Sequence, residues 1–206
     1  MRLTYVGNFD PPHSTENDIR KAFEHLGWEV VKAQENEVSW QFIREQSLNS
    51  NLLLWTSTWD EAQPIDKTLE TVRLLGMKDI PSVTIHLDVF HNSDRGDRKW
   101  WMNPMWTMAY VFTASGDFNK EWKAMGVNHI WLPPAVRHDA THFGTFRKEY
   151  ECDVAFVGSN GNGYHPSVWS YRKELVDNLR EVCKRNGWTF KNPGGDDPKI
   201  ERDDRS

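Results

Sequence analysis

Short apolar runs alternate along this chain with stretches whose apolar residues recur at helical spacing. Leu3–Val6, Glu29–Ala33, Leu52–Thr56, Ser82–Leu87, Tyr110–Thr113 and Ile130–Leu132 have strand length and are rich in apolar or β-branched residues. Between them, Ile19, Ala22, Phe23 and Leu26 make a helical stripe entered through Ser14 and Thr15 as cap candidates. Ile65, Leu69 and Val72 make a second stripe, Phe118, Trp122 and Met125 a third, and Ser39–Gln46 is a weaker helix candidate. Strands alternating with helices at this interval predict an α/β fold, a Rossmann-like parallel sheet with helices on both faces.

The same supersecondary unit is written twice. Leu3-Thr4-Tyr5-Val6 ends in Gly7-Asn8, and Val154-Ala155-Phe156-Val157 ends in Gly158-Ser159. Each run leads through a polar loop to an amphipathic helix, then to Gly27-Trp28 or Gly187-Trp188 and a second strand. A glycine turn between a buried strand and a helix lets phosphate or hydroxyl groups approach backbone N–H groups at the positive helix end. The repeat predicts two Rossmann-like lobes across a cleft: a first domain over 1–134, a crossover over 135–152 and a second lobe over 153–206. The second lobe is expected to be incomplete. Its helix, near Ser170–Asn186, would bury Leu175, Leu179, Val182 and Cys183, and Trp188–Lys191 would follow as a strand. One helix and two strands bury too little apolar surface to stand alone, so either the lobe leans on the first domain or the chain is part of a longer one, which is the expectation.

Composition narrows the class. At 206 residues, 38% hydrophobic and 27% charged, the chain belongs with globular rather than disordered proteins. No apolar run reaches the roughly 20 residues that span a bilayer, and with only two cysteines a reducing cytoplasm is expected. Cys152 and Cys183 imply no disulfide framework. A net charge of −5 argues against general affinity for nucleic-acid phosphates. Eleven tryptophans stand out, because indoles fill cores and also stack on sugar rings. The irregular stretch Asn92–Trp106, charged and then aromatic, is either a functional insertion or a surface loop pinned by tryptophans.

In order, four pieces resemble the GT-B glycosyltransferases, and within them the spore-maturation-protein-like group of bacteria and phages. They are Tyr5-Val6-Gly7-Asn8-Phe9 with His13-Ser14-Thr15-Glu16; Tyr110-Val111-Phe112-Thr113 with Gly126-Val127; Trp131-Leu132-Pro133-Pro134-Ala135-Val136; and Asp153-Val154-Ala155-Phe156-Val157-Gly158-Ser159 with Tyr171-Arg172-Lys173-Glu174-Leu175. The resemblance implies an acceptor-side first lobe and the start of a donor lobe that binds a nucleotide-sugar. It also implies transfer to an acceptor glycan or other hydroxyl-bearing molecule, with no cofactor and no metal. The later part of such a donor domain, with the acidic residues it commonly carries, is expected in a longer natural chain.

The candidate chemistry follows. His13 is suited to take a proton from an acceptor hydroxyl, and Glu16 to orient it, although Ser14, Thr15 and Glu16 equally suit a helix start. Gly7, Asn8, His86 and Asp88 are candidates to line the acceptor cleft. Gly158, Ser159 and Asn160 can wrap a diphosphate, and Arg172 can neutralise a departing nucleotide. No strict GxGxxG follows either strand, which argues against a dinucleotide. The His86–His91 stretch matches no zinc pattern. A non-catalytic carbohydrate- or nucleotide-binding protein is the first alternative. A phage enzyme glycosylating modified DNA bases is the second, with Arg95–Lys99 as its thin basic patch.

Overall fold

The structure, a computed structural model, describes residues 1–12, 14–56, 63–86, 103–114, 119–133, 145–157 and 166–192. Within them the chain forms two compact units, Met1–Thr141 and His142–Ser206. The division falls inside the stretch expected as a crossover.

In the first unit, strands β1 (Arg2–Gly7), β2 (Glu29–Gln34), β3 (Leu52–Trp55), β4 (Ser82–His86), β5 (Tyr110–Thr113) and β6 (His129–Trp131) form one sheet. Its order is β2-β1-β3-β4-β5-β6, and every pair is parallel. Alternation of side chains sends one register row, Ala33–Val6–Trp55–Thr84–Val111–His129, to a single face across all six strands. On that face Val6, Leu53 and Trp55 pack against Ile43 of α2 (Trp40–Leu48), Val72 and Leu75 of α3 (Ile65–Met77), and Met105 and Met108. Further along it, Val111 packs with Trp106, Val127 and Trp122 of α4 (Asn119–Ala124). On the opposite face Leu3, Tyr5 and Leu54 meet Phe9 and, from α1 (Thr15–His25), Ile19 and Phe23. Helices therefore cover both faces of a parallel sheet, as the sequence pattern predicts.

Some details differ from the pattern. Leu26 is the C-cap of α1 and is exposed, and Ala22 faces solvent, so only Ile19 and Phe23 of that stripe pack inward. Met125 lies past the end of α4 and is likewise exposed. The chain leaves each helix at these points, and a residue in the exit turn has no sheet beneath it.

The second unit contains β7 (Val154–Ala155), α5 (Pro166–Asn186) and β8 (Phe190–Lys191), with β7 and β8 paired in parallel as a separate two-stranded sheet. Its helix buries Val176 and Cys183 with Leu179 half-buried, whereas Leu175 and Val182 are exposed. The stripe is rotated by one residue from the expected one, toward the i, i+3, i+7 set that faces the short sheet. Asp153 clasps Thr189 across the two strands: its Oδ2 accepts from the Thr189 backbone N–H at 2.7 Å and from the hydroxyl at 2.7 Å. Those bonds, the backbone one first, hold the Asp153 carboxyl below the usual carboxylate range. Among the described residues no helix is long and apolar enough to cross a membrane.

Candidate functional site at the carboxyl edge of the sheet

The strand order locates the first place to look. From β1 the chain steps outward to β2, then crosses back over β1 to β3. The helices that follow β1 and β3 therefore lie on opposite faces, and open α/β sheets place ligands at that switch point. The residues there are Gly7, which ends β1, Asn8 after it, and Thr56 after β3.

Glu16 is brought to this edge by the start of α1. Ser14 is the N-cap, its Oγ accepting from the Asn17 backbone N–H at 3.1 Å. Glu16 then stands in the first turn, where the helix dipole favours a carboxylate, and is buried. It folds over Gly7 so closely that a Cβ there would lie 2.9 Å from Glu16 Cγ. Beneath, the Tyr5 hydroxyl and Thr56 Oγ1 share a hydrogen bond of 3.0 Å. Burial pushes the Tyr5 phenol well above its usual range; the Thr56 bond opposes this and the Glu16 charge adds to it. Tyr5 therefore stays protonated and serves as a hydrogen-bond partner, not as a base.

The loop above is held from two sides. Gln34, the last residue of β2 and buried, accepts at Oε1 from the Phe9 N–H at 2.7 Å. Asn17 donates from Nδ2 to the Phe9 carbonyl at 2.8 Å and the Pro11 carbonyl at 3.0 Å. Both backbone groups of Phe9 are thereby satisfied within the protein. Its ring stands edge-on to Tyr5 at 5.0 Å. The loop is preorganised by side chains that neither a glycine motif nor a stripe reveals. Only their positions, one at a strand end and one at the third residue of a helix, hint at it.

The remaining candidates are placed as follows. His86 ends β4 and is buried, stacked on Trp106 at 5.4 Å with Nε2 3.2 Å from Thr84 Oγ1. Since Thr84 Oγ1 also donates to the Trp55 carbonyl at 2.9 Å, its one proton is committed, which assigns Nε2–H of His86 as the donor. Arg172 lies half-buried in the second turn of α5, within the second unit. His13, Asp88, Gly158, Ser159 and Asn160 lie outside the described residues. Gly7, Asn8 and Glu16 are thus brought together, whereas His86 belongs to the packed face of Trp55 and Trp106. Among the described residues no cluster of three His, Cys, Asp or Glu side chains could hold a metal ion.

No protein-family model matches the chain, and no curated protein matches it. Among solved structures it is similar to a two-component response regulator of the LuxR family from Aurantimonas sp. SI85-9A1. Identity is 16%, with 63% of this chain and 88% of that chain covered, at a TM-score of 0.37. At that level the likeness carries no argument about activity.

Proposed function

We propose that the chain carries the acceptor-side domain and the opening of the donor-side domain of a nucleotide-sugar-dependent glycosyltransferase. The supporting observation is the doubled unit. In β1–α1–β2 and in β7–α5–β8, a strand is followed by a helix with a left-handed glycine just past its end, then by a parallel neighbour. Gly27 and Gly187 both have positive φ, at 80° and 71°. In both, the following Trp N–H returns to a helix carbonyl, Trp28 to Phe23 at 3.0 Å and Trp188 to Cys183 at 2.9 Å. Each unit thereby turns a helix N-terminus toward the carboxyl edge of its own parallel pair, the arrangement that suits hydroxyls or phosphates.

In this reading the acceptor hydroxyl is held at the first unit, with His13 as proton acceptor and Glu16 orienting it. Gly158, Ser159, Asn160 and Arg172 receive the donor diphosphate as its bond to the sugar breaks. The nucleotide-sugar is a co-substrate, and a cytoplasmic site of action suits such donors. Calorimetric titration with UDP-, GDP- and dTDP-sugars tests the reading, on this chain and on any longer natural polypeptide that contains it. Saturable binding of one donor class is expected, weakened when Arg172→Ala is introduced. A folded protein that takes up none of them contradicts it.

A further inference from the structure

Three side-chain oxygens converge on one buried nitrogen at the rim of the first unit. Gln34 Nε2 lies 3.1 Å from Asn8 Oδ1, 3.2 Å from Asp10 Oδ2 and 2.8 Å from Asn36 Oδ1. The amide orientation of Gln34 is fixed by the Phe9 N–H on its Oε1. Its Nε2 carries two protons for three acceptors, so one oxygen is underserved, and the longest contact is to the Asp10 carboxylate. The same bonds fix the outer residues. Asn8 and Asn36 spend their Oδ1 atoms on Gln34, which leaves both Nδ2 groups, and Asp10 Oδ1, without a hydrogen-bond partner among the described residues. Asp10 and Asn36 are exposed and Asn8 is half-buried. The rim therefore offers two amide donors beside a carboxylate acceptor, on a base held by a side chain only 7% exposed.

That pattern selects a ligand class. A hydroxyl both donates and accepts, and neighbouring hydroxyls present two such groups together, matching a carboxylate flanked by amides. A bare cation is poorly served, because the point where the oxygens converge is filled by the Gln34 amide. A phosphate would meet the Asp10 charge. We propose that Asn8, Asp10 and Asn36, keyed by Gln34, form a subsite for the vicinal hydroxyls of a sugar or other polyol. As the seat of a transferase acceptor it rests on the reading of the preceding subsection. Binding itself does not. It favours a carbohydrate acceptor over an isolated hydroxymethyl group on a base.

The test is titration with methyl α-mannopyranoside, methyl β-galactopyranoside and myo-inositol, with 1-propanol as an isolated hydroxyl, followed by the side-chain amide signals in heteronuclear NMR. The Asn8 and Asn36 NH2 signals should move saturably with at least one polyol and not with 1-propanol. Asn36→Ala and Asp10→Ala, both at exposed positions, should each weaken binding about five- to tenfold without altering the rest of the spectrum. No saturable shift with any polyol, an equal response to 1-propanol, or affinity unchanged in both variants overturns the subsite. Sugar transfer with an acceptor KM unmoved by these substitutions would sink the subsite and leave the transferase reading standing. Polyol binding without any uptake of nucleotide-sugar would do the reverse.

Discussion

At Gly7 a single missing methyl group sets the geometry of the carboxyl edge. With the built Cβ 2.9 Å from Glu16 Cγ, alanine there must drive the Glu16 side chain out of a buried position. Gly7→Ala should cost about 1–3 kcal/mol in urea denaturation. In a Glu16→Ala background, where Cγ is gone, the same change should become neutral or slightly stabilising, because a strand residue then gains by losing glycine's freedom. Equal penalties in both backgrounds would show that the contact is not what excludes a side chain. His129 offers a second residue-scale test. It is buried edge-on to Trp122 at 4.0 Å, with Nε2 3.0 Å from Thr113 Oγ1. Burial first, and the Lys123 charge second, lower its pKa below the ordinary value of about 6.5. The unfolded chain then binds a proton that the folded one refuses, so stability is full above that ordinary value and falls as pH drops through it toward the folded-state pKa. A His129→Gln variant should lose that slope across the same window in denaturation midpoints. An unchanged slope would assign the titration elsewhere.

Helix ends were the elements most readable in the chain. Gly27-Trp28 and Gly187-Trp188 are written in the sequence as helix exits, and both glycines occupy left-handed backbone with the following N–H bonded back into the helix. Nothing lies within 4 Å of a Cβ built at either, so any penalty there is one of backbone conformation alone. Gly27→Ala should cost about 1 kcal/mol and Gly27→Asn less. Gly76, inside α3 with equally open surroundings, should respond with the opposite sign, Gly76→Ala gaining about 0.4–1 kcal/mol. Thermal unfolding of the three variants checks the set, and a shared sign would contradict it. Strand positions were legible for a related reason: runs such as Leu52–Trp55 are buried on both sides and read as continuous apolar segments. The loop clamp was not legible. Gln34 and Asn17 are polar residues in elements read by their apolar neighbours, and their partners, Phe9 backbone atoms, carry no sequence signature. The place of His86 at a strand end suggests a cleft-facing side chain, but the strand end is also where Trp106 packs.

Across the whole molecule, every hydrogen-bonded strand pair of the large sheet lies within Met1–Thr141. A polypeptide ending at Thr141 should therefore keep a cooperative urea transition and the sheet's circular-dichroism signal. Residues 142–206 alone should not, since among the described residues one helix on two short strands leaves Phe146, Val157 and Trp188 at 74%, 78% and 50% exposure. Loss of cooperativity in the first fragment, or a sharp transition in the second, would reverse that assignment. The proposed function rests on the strand–helix–strand unit that recurs as β1–α1–β2 and β7–α5–β8, the first bearing a carboxylate over a glycine. The most direct measurement is release of nucleoside diphosphate from UDP-, GDP- and dTDP-sugars, by the natural polypeptide containing this chain, with and without a polyol acceptor. Release that rises with acceptor and falls at least tenfold in Glu16→Gln is the predicted result. Folded protein that binds donor yet releases no diphosphate with any acceptor, or release indifferent to both acceptor and Glu16, would contradict the account.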